Sequence, residues 1–245
     1  MKAFFRLTLL VFLAGLSLQL YFVGRIALMA VVDPESTAFE RSAVYSVVTT
    51  TGSLKWRQQW VAYSDISENL KRAVIASEDA SFTEHEGVDI EALEKAWDKN
   101  AKAEKKVEQQ STKRATIKPV KPAKIVGGST ITQQLAKNLF LSGERTLLRK
   151  GQELVLTLLL ERLLSKERIL EIYLNSVEWG EGVFGAEAAS QHYYRKSASK
   201  LSAYEAARLA VMLPRPKYFE TRPSSGYLSS RAGTIAARMG GVELP

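Results

Sequence analysis

The 245-residue chain contains no cysteine and only two histidines, His85 and His192. The first absence excludes disulfide frameworks and thiol catalysis, although it is compatible with any cellular compartment. Two histidines also exclude a histidine-rich metal site. Strand-like patterns are few and the sequence has no internal repeat, so we expect a mainly α-helical protein. Apolar residues make up 46% of the chain, which is ample for a hydrophobic core.

Net positive charge is nearly absent outside one segment, although the formal net charge of the chain is +8. Residues 95–124 hold ten lysines and arginines but only three acids, so seven of the eight net positive charges lie there. Because the basicity is confined to this insert, it does not indicate a nucleic-acid partner. The simplest prediction for residues 101–124 is a solvated basic loop, and the alternative is a contact with anionic lipid headgroups.

A long, mostly apolar run follows residues 1–6, which carry two basic side chains. The run extends without charge over 18 positions from Leu7 to Gly24. A membrane-spanning helix needs about 20 apolar residues, whereas the core of a cleaved signal peptide has about 7–15 and ends at a small-x-small site. No convincing site of that kind follows here. We therefore predict a single-pass transmembrane anchor over residues 7–32. Because basic residues stay inside, residues 1–6 are expected to be cytoplasmic and the following domain to face the periplasm or the cell exterior.

The stretch from Glu78 to Gly87 concentrates acidic side chains after an amphipathic helix pattern, whose start Asp65 or Ser67 would cap. Glu78 falls in the last turn of this helix. The negative end of the helix dipole and the adjacent Asp79 should both raise the pKa of its carboxyl group. A carboxylate of this kind suits a general base that works near neutral pH. The alternative interpretation is a solvated acidic helix end before a loop.

A second helix start is indicated by two glycines followed by Thr130 and Gln133, which fit a capping box. Such a glycine-led helix N-terminus is either an ordinary capped helix or an anion site. Further along, Arg149 and Glu153 are four residues apart and could form a plain surface ion pair. The alternative is a diphosphate site, alone or with a divalent ion, because several cations surround this carboxylate in the sequence. These cations are Lys137, Arg145, Arg149 and Lys150.

The remaining segments predict the domain layout. Residues 33–60 are expected to form a linker with a β-prone run from Val44 to Val48, and a helix is predicted from Asp89 to Lys106. Residues 154–164 are apolar nearly all round, as in a central buried helix. The catalytic domain is predicted over residues 60–220, and residues 221–245 are expected to form a peripheral tail.

Four stretches, taken in order, resemble the family 51 glycosyltransferases, which polymerise peptidoglycan glycan chains. The chain looks most like the monofunctional biosynthetic peptidoglycan transglycosylases of that family. The matching stretches are Glu78-Asp79-x-x-Phe82-x-x-His85-x-Gly87, Gly128-Ser129-Thr130-Ile131-Thr132-Gln133-Gln134-Leu135-x-Lys137-Asn138, Arg149-Lys150-x-x-Glu153 and Lys166-x-x-Ile169-Leu170-Glu171-x-Tyr173-Leu174-Asn175. The basic insert between the first two stretches departs from the family pattern and affects local geometry rather than chemistry.

The resemblance implies a lysozyme-like helical domain on the outer face of the inner membrane, with lipid II and the nascent glycan strand as substrates. Glu78 matches the general base that takes the proton from the 4-hydroxyl of the acceptor sugar, and Glu153 matches a second glutamate at the donor diphosphate. The four cations named above match residues that hold the diphosphate. Other motif positions expected to line the cleft are Asp79, His85, Ser129, Gln133, Gln134 and Asn138. No cofactor is required; Mg²⁺ or another divalent ion could assist at the diphosphate, but no metal cage is visible. Membrane lipids and proteins of cell division or elongation are candidate partners.

Two other functions are compatible with parts of the sequence. A lysozyme-type hydrolase would use Glu78 as a general acid, but it needs no cations for a diphosphate. A membrane-anchored scaffold would use only the basic insert. A transpeptidase domain is not expected, because the Ser-x-x-Lys match at Ser197 lacks a Lys-Thr-Gly motif and is followed by too few residues.

Overall fold

The computed structural model describes residues 1–113, 128–141 and 146–245. It confirms a mainly α-helical domain behind one long N-terminal helix. The helices are α1 (Lys2–Leu28), α2 (Ala38–Thr51), α3 (Glu68–Glu78), α4 (Ile90–Lys113), α5 (Ile131–Phe140), α6 (Leu147–Leu163), α7 (Lys166–Ser176), α8 (Ala186–Tyr194), α9 (Ala203–Met212), α10 (Pro216–Glu220) and α11 (Gly226–Arg238). Short 3₁₀ turns occur at Tyr63–Asp65, Ala198–Lys200 and Met239–Gly241.

Local capping signals set the start of several helices. Complete capping boxes, in which the N-cap side chain and the third helical residue bond reciprocally, begin α2, α5 and α9. The box at α5 pairs Thr130 with Gln133, as predicted. Helix α3 is capped by Ser67, one of its two predicted caps. Each box satisfies two backbone N–H donors that would otherwise lack partners at the helix start.

The core lies between two groups of helices. Helix α9 packs against α3 and α11, and α5 packs against α6 and α7. Among its largest fully buried side chains are Trp179, Tyr173 and Phe82. This packing places the end of α3 beside α5 and α7, where the predicted site residues lie.

A small three-stranded sheet flanks these helices. Its strands are β1 (Arg57–Gln58), β2 (Glu178–Gly180) and β3 (Val183–Phe184), in the order β1-β3-β2. Strand β3 is parallel to β1 and antiparallel to β2. Because β1 belongs to this sheet, part of the expected linker at residues 33–60 is built into the domain.

Two segments differ from the expected secondary structure. The β-prone run from Val44 to Val48 lies inside helix α2. The Thr37 capping box starts this helix, and Val44 and Val47, three residues apart, are buried on one face of it. Helix α4 also continues past Lys106 to Lys113, so residues 101–113 of the expected basic loop are helical. Residues 114–127, which include the rest of the insert, lie outside the described residues.

Helix α6 is not buried all round, contrary to the prediction from its apolar sequence. Leu156 and Leu160 face the core, but five apolar side chains are exposed on the other side. These are Leu147, Leu148, Leu154, Val155 and Leu158. We call this surface the apolar face of α6. A contiguous exposed apolar surface of this kind marks a site of contact with a membrane or with another protein.

The C-terminal segment is also better packed than predicted. Helix α11 contacts α9 and α3, and it buries Leu228, Ala232 and Ile235 in the core. Residues 221–245 are therefore part of the domain and not a peripheral tail. Among the described residues, only α1 is long and apolar enough to cross a membrane.

Candidate active site

Glu78 is the last residue of α3, and Gln134, itself held by Tyr173, fixes its carboxyl group. The Nε2 amide of Gln134 on α5 donates a hydrogen bond of 3.0 Å to Oε2 of Glu78. The hydroxyl group of Tyr173 on α7 donates to Oε1 of the same Gln134, also at 3.0 Å. Because the Tyr173 hydroxyl can donate to the amide oxygen, it holds the amide nitrogen of Gln134 toward Glu78. Three helices therefore meet at one carboxylate.

The environment raises the pKa of Glu78 above its usual value of 4.5. Burial is the largest cause, because it disfavours the charged form. The hydrogen bond from Gln134 opposes it, and the neighbouring charge of Asp79 adds a smaller upward shift. The sequence predicted the direction, but it assigned the shift to the helix dipole and Asp79 rather than to desolvation. A carboxylate held in this way is a stronger base than one in water.

Asp79 and His85 connect the loop after α3 to the start of α5. Nε2 of His85 lies 2.9 Å from Oδ1 of Asp79, and the backbone N–H of Ile131 donates to Oδ2 at 2.9 Å. The N–H of Gly87 donates to Nδ1 of His85, which assigns the ring proton to Nε2. Thr130 completes the connection by donating to the carbonyl oxygen of Gly87 at 2.7 Å. These contacts hold Glu78 against α5; contact of Asp79 and His85 with substrate stays a prediction.

Glu153 is the centre of a cation cluster on α6. Its carboxylate is 4% exposed and accepts from Nη1 of Arg149 at 2.8 Å and from Nζ of Lys150. The buried Nε–H of Arg149 has no acceptor among the described residues. A buried N–H group without an acceptor is costly, and a ligand can supply the acceptor. We call Arg149, Lys150 and Glu153 the α6 clamp.

Lys137 on α5 links the two glutamates. Its ammonium group interacts electrostatically with both Glu153 and Glu78. The side chain is exposed, yet neighbouring groups remove part of its water. This desolvation is the largest cause of a lowered pKa, and the charges of Arg149 and Lys150 lower it further. Lys137 therefore lies within electrostatic range of both Glu78 and Glu153.

A second groove adjoins Glu78 away from the clamp and contains basic residues that sequence reasoning missed. It has a volume of about 360 Å³ and is lined by Lys95 and Lys99 of α4 and by Arg231 and Arg238 of α11. Arg231 and Glu78 line the same groove, and the charge of Arg231 lowers the pKa of Glu78. The seven-residue spacing of the two arginines, about two helical turns, places them on one face and was the available sequence signal.

The other predicted site residues have different surroundings. Ser129 is exposed and lines the groove beside Glu78. Gln133 is buried and its side chain completes the capping box of α5, while Asn138 is buried on the same helix. Arg145 lies outside the described residues. Lys166 opens the fourth matching stretch, but the sequence assigned it no role; its ammonium group donates to the carbonyl oxygen of His85 and so supports the loop after α3.

One group of potential metal ligands occurs among the described residues, and it does not fit a metal. The donor atoms of Asp79, His85 and Asp89 lie within 4.8 Å of one another. Asp79 and His85 are bonded to each other and to backbone N–H groups, as described above. Asp89 accepts from the hydroxyl group of Ser81 and from the N–H of Ala92, which it caps. With their acceptor atoms engaged by protein donors, these three residues form a structural network.

Comparison with known proteins identifies the family of the chain. The sequence model of the family described as "Transglycosylase" matches residues 46–240. A biosynthetic peptidoglycan transglycosylase of Burkholderia thailandensis is 54% identical over 232 residues, covering 95% of this chain and 84% of the relative. Another protein of that name, from Herminiimonas arsenicoxydans, is 51% identical over 245 residues, covering 100% of this chain and 98% of the relative. A third, from Paraburkholderia phytofirmans, is 51% identical and covers 95% of this chain and 90% of its own length. The chain therefore belongs to the transglycosylase family.

Proposed function

We propose that this protein is a peptidoglycan glycosyltransferase that polymerises glycan strands from lipid II in cell-wall synthesis. The single observation that carries the proposal is that one lysine interacts with both glutamates. Lys137 interacts electrostatically with the desolvated carboxylate of Glu78 and with Glu153 of the α6 clamp. The reaction needs a base that removes a proton and cations that stabilise a leaving anion. Glu78 provides the first, and Lys137 with the α6 clamp provides the second.

In the proposed reaction, Glu78 accepts the proton of the 4-hydroxyl group of the acceptor sugar. The oxygen then bonds to the anomeric carbon of the lipid-linked chain, while the bond from that carbon to the diphosphate breaks. The bonding electrons leave with undecaprenyl diphosphate. Lys137, Arg149 and Lys150 stabilise this growing negative charge, and the orphan Nε–H of Arg149 supplies a further donor.

The acceptor also carries a diphosphate, and the basic groove beside Glu78 suits it. Four cations from α4 and α11 line this groove next to the base. We assign it to the acceptor because the clamp is then left for the donor. The base consequently lies between the two substrates.

The proposed location is the cell inner membrane, with the N-terminus in the cytoplasm and the domain in the periplasm. The exposed apolar surface of α1 and the apolar face of α6 support it, because α1 contacts α6 and both surfaces suit lipid. Division or elongation proteins stay candidate partners, which co-purification from membranes would test.

We propose that no metal cofactor is required. Glu153 already has two cationic partners, and the protein supplies the charge that a divalent ion would bring to the diphosphate. Polymerisation should therefore persist when a chelator replaces divalent ions in the assay.

The test is polymerisation of labelled lipid II by the purified full-length protein in detergent. Wild type should yield long glycan strands and free undecaprenyl diphosphate. Glu78→Gln should lower the rate by about 10²–10⁴-fold, the scale of general-base catalysis. Glu86→Gln is the matched control, because Glu86 is an exposed carboxylate in the same loop. Full activity of Glu78→Gln, or release of shortened sacculus fragments by wild type, would contradict the proposal.

A further inference from the structure

The anchor helix α1 contacts the domain along a stripe that begins with a polar residue. Residues 1–18 are all exposed, whereas Gln19 and Phe22 are half-buried and Ile26 and Met29 are buried. Their spacing of three, four and three residues places them on one helical face. Phe22 packs edge-on against an aromatic ring at the end of α5. The domain therefore holds the last third of α1 in one rotation.

Gln19 forms a reciprocal pair with Gln152 of α6. Nε2 of Gln19 donates to Oε1 of Gln152 at 3.0 Å, and Nε2 of Gln152 donates to Oε1 of Gln19 at 3.3 Å. Gln152 lies on the helix that bears the exposed apolar face. Next to this apolar face, an amide group without a partner would have no water to bond to. Each glutamine amide is therefore held in place by the other.

The beginning of α6 has little other support. From Thr146 to Gln152 no residue is buried, and Glu153 is the first buried one. Gly151 weakens this part of the helix further, because glycine is a poor helix former. Yet these two turns carry Arg149 and Lys150, and Gln152 directly precedes Glu153. The pair with Gln19 therefore joins the anchor to α6 at Gln152, the residue next to Glu153 of the clamp.

We infer that Gln19 of the membrane anchor is a positioning residue for the donor diphosphate and acts through Gln152 on the α6 clamp. The inference rests on the proposed function. In this arrangement the anchor does more than keep the enzyme at the membrane, because it fixes the rotation and depth of the helix that receives the leaving group. Loss of the pair loosens the clamp without removing any residue that touches substrate.

The first test compares full-length variants in proteoliposomes that contain lipid II. Gln19→Leu should lower kcat about tenfold, the scale of one interhelical amide pair, with a smaller change in KM. The kcat falls more because charge on the leaving group is greatest in the transition state. Gln19→Leu combined with Leu20→Gln keeps the composition but moves the amide off the stripe, and it should be equally impaired. Ser17→Leu, at an exposed position, should behave as wild type.

A double-mutant cycle and thermal unfolding separate positioning from general stability. Gln19→Leu with Gln152→Leu should be no worse than either single change, because both remove the same contact. A merely structural role would lower the unfolding midpoint and leave kcat of the folded enzyme unchanged. That result would overturn the inference, as would a wild-type kcat for Gln19→Leu.

Crosslinking gives a second readout, which remains informative if the leucine variants fail to fold. The chain has no native cysteine, so Gln19→Cys with Gln152→Cys introduces the only two thiols. A bis-methanethiosulfonate reagent with a short spacer should join them in membranes and restore most of the lost kcat, and reductant should reverse the recovery. The matched pair of Leu18→Cys with Gln152→Cys should show no recovery.

Failure to crosslink, or a crosslink without recovery, would overturn the inference. Failure of the proposed function is distinct, because wild type would then make no glycan strands.

Discussion

At the scale of single residues, Glu78 and Lys137 have pKa values displaced toward each other. Burial raises the pKa of Glu78 above 4.5, and desolvation with neighbouring cations lowers that of Lys137 below 10.5. The base works only when ionised, and Lys137 stabilises the diphosphate only when protonated. Activity should therefore fall on the acid side at a pH above the usual carboxyl range, and on the alkaline side at a pH below the usual lysine range.

The measurement is kcat/KM for lipid II polymerisation across pH, compared with Lys137→Arg. Arginine stays protonated at every accessible pH, so this variant should lose the alkaline fall while keeping the acid one. The acid fall should remain where it is in wild type, because Glu78 is unchanged. An alkaline fall at the same pH in Lys137→Arg would show that another group titrates there.

Tyr173 provides a second prediction at this scale. Its hydroxyl group orients Gln134, which in turn bonds to Glu78. Tyr173→Phe should reduce kcat roughly ten- to hundredfold with little change in KM, because a slightly misplaced catalytic group has effects of this size. It should also lower the free energy of unfolding by about 1 kcal/mol, the net value of one hydrogen bond.

Tyr193→Phe is the matched control for this variant. Tyr193 donates to the backbone carbonyl oxygen of Trp179 at 2.7 Å, and no bond of its hydroxyl group leads to Glu78. The control should lose similar stability in chemical unfolding while keeping its kcat. Equal kcat losses in both variants would mean that stability, and not orientation of the base, explains the effect.

At the scale of elements, local signals predicted α3 and α5 well, and tertiary packing decided the rest. The caps at Ser67 and Thr130 are satisfied within a few residues, so the sequence alone contains them. Helix α2 has a β-prone sequence, and its burial against α5 outweighs that preference. The clamp residues were predicted from motif spacing. In contrast, the contribution of α11 to the groove depends on a contact between distant parts of the chain, which no local pattern reports.

Two glycines in the site region should respond in opposite ways to alanine. Gly151 lies inside α6, and an added Cβ atom would meet nothing within 4 Å. Gly151→Ala should stabilise the protein by about 0.5–1 kcal/mol, because alanine favours a helix. Gly87 has a φ of +85°, and a Cβ atom there would lie 2.7 Å from Cγ2 of Thr157. Gly87→Ala should therefore destabilise the protein, through both backbone strain and steric overlap.

Chemical unfolding of both variants in the same detergent measures these changes. Gly87→Ala should also lower polymerisation, because the loop after α3 bonds to α5 through the carbonyl oxygen of this residue. A stabilised Gly87→Ala variant would contradict the described conformation of the loop. A destabilised Gly151→Ala variant would contradict the position of this glycine within an exposed helix.

At the scale of the whole molecule, the anchor and the domain share one core. The sequence predicted an anchor over residues 7–32 followed by a linker, as though the two parts were independent. Instead Ile26 and Met29 are buried in the core cluster of the domain, and Arg168 donates to the carbonyl oxygen of Met29. A hydropathy pattern cannot distinguish these residues from lipid-facing ones, because both environments are apolar.

Two truncations should separate the two parts of α1. Removal of residues 1–18 deletes only exposed positions, so the domain should keep its stability in detergent while losing much of its action on substrate in bilayers. Removal of residues 1–32 also deletes Ile26 and Met29, and burial of each such side chain contributes about 1.5–3 kcal/mol. The longer truncation should therefore unfold at lower denaturant concentration, bind more detergent at the uncovered core and retain only part of its polymerising activity.

Thermal and chemical unfolding, with lipid II polymerisation in parallel, would measure the difference. Equal stability of the two truncated proteins would mean that the last third of α1 does not pack on the domain, and the positioning of the clamp by Gln19 would fail with it.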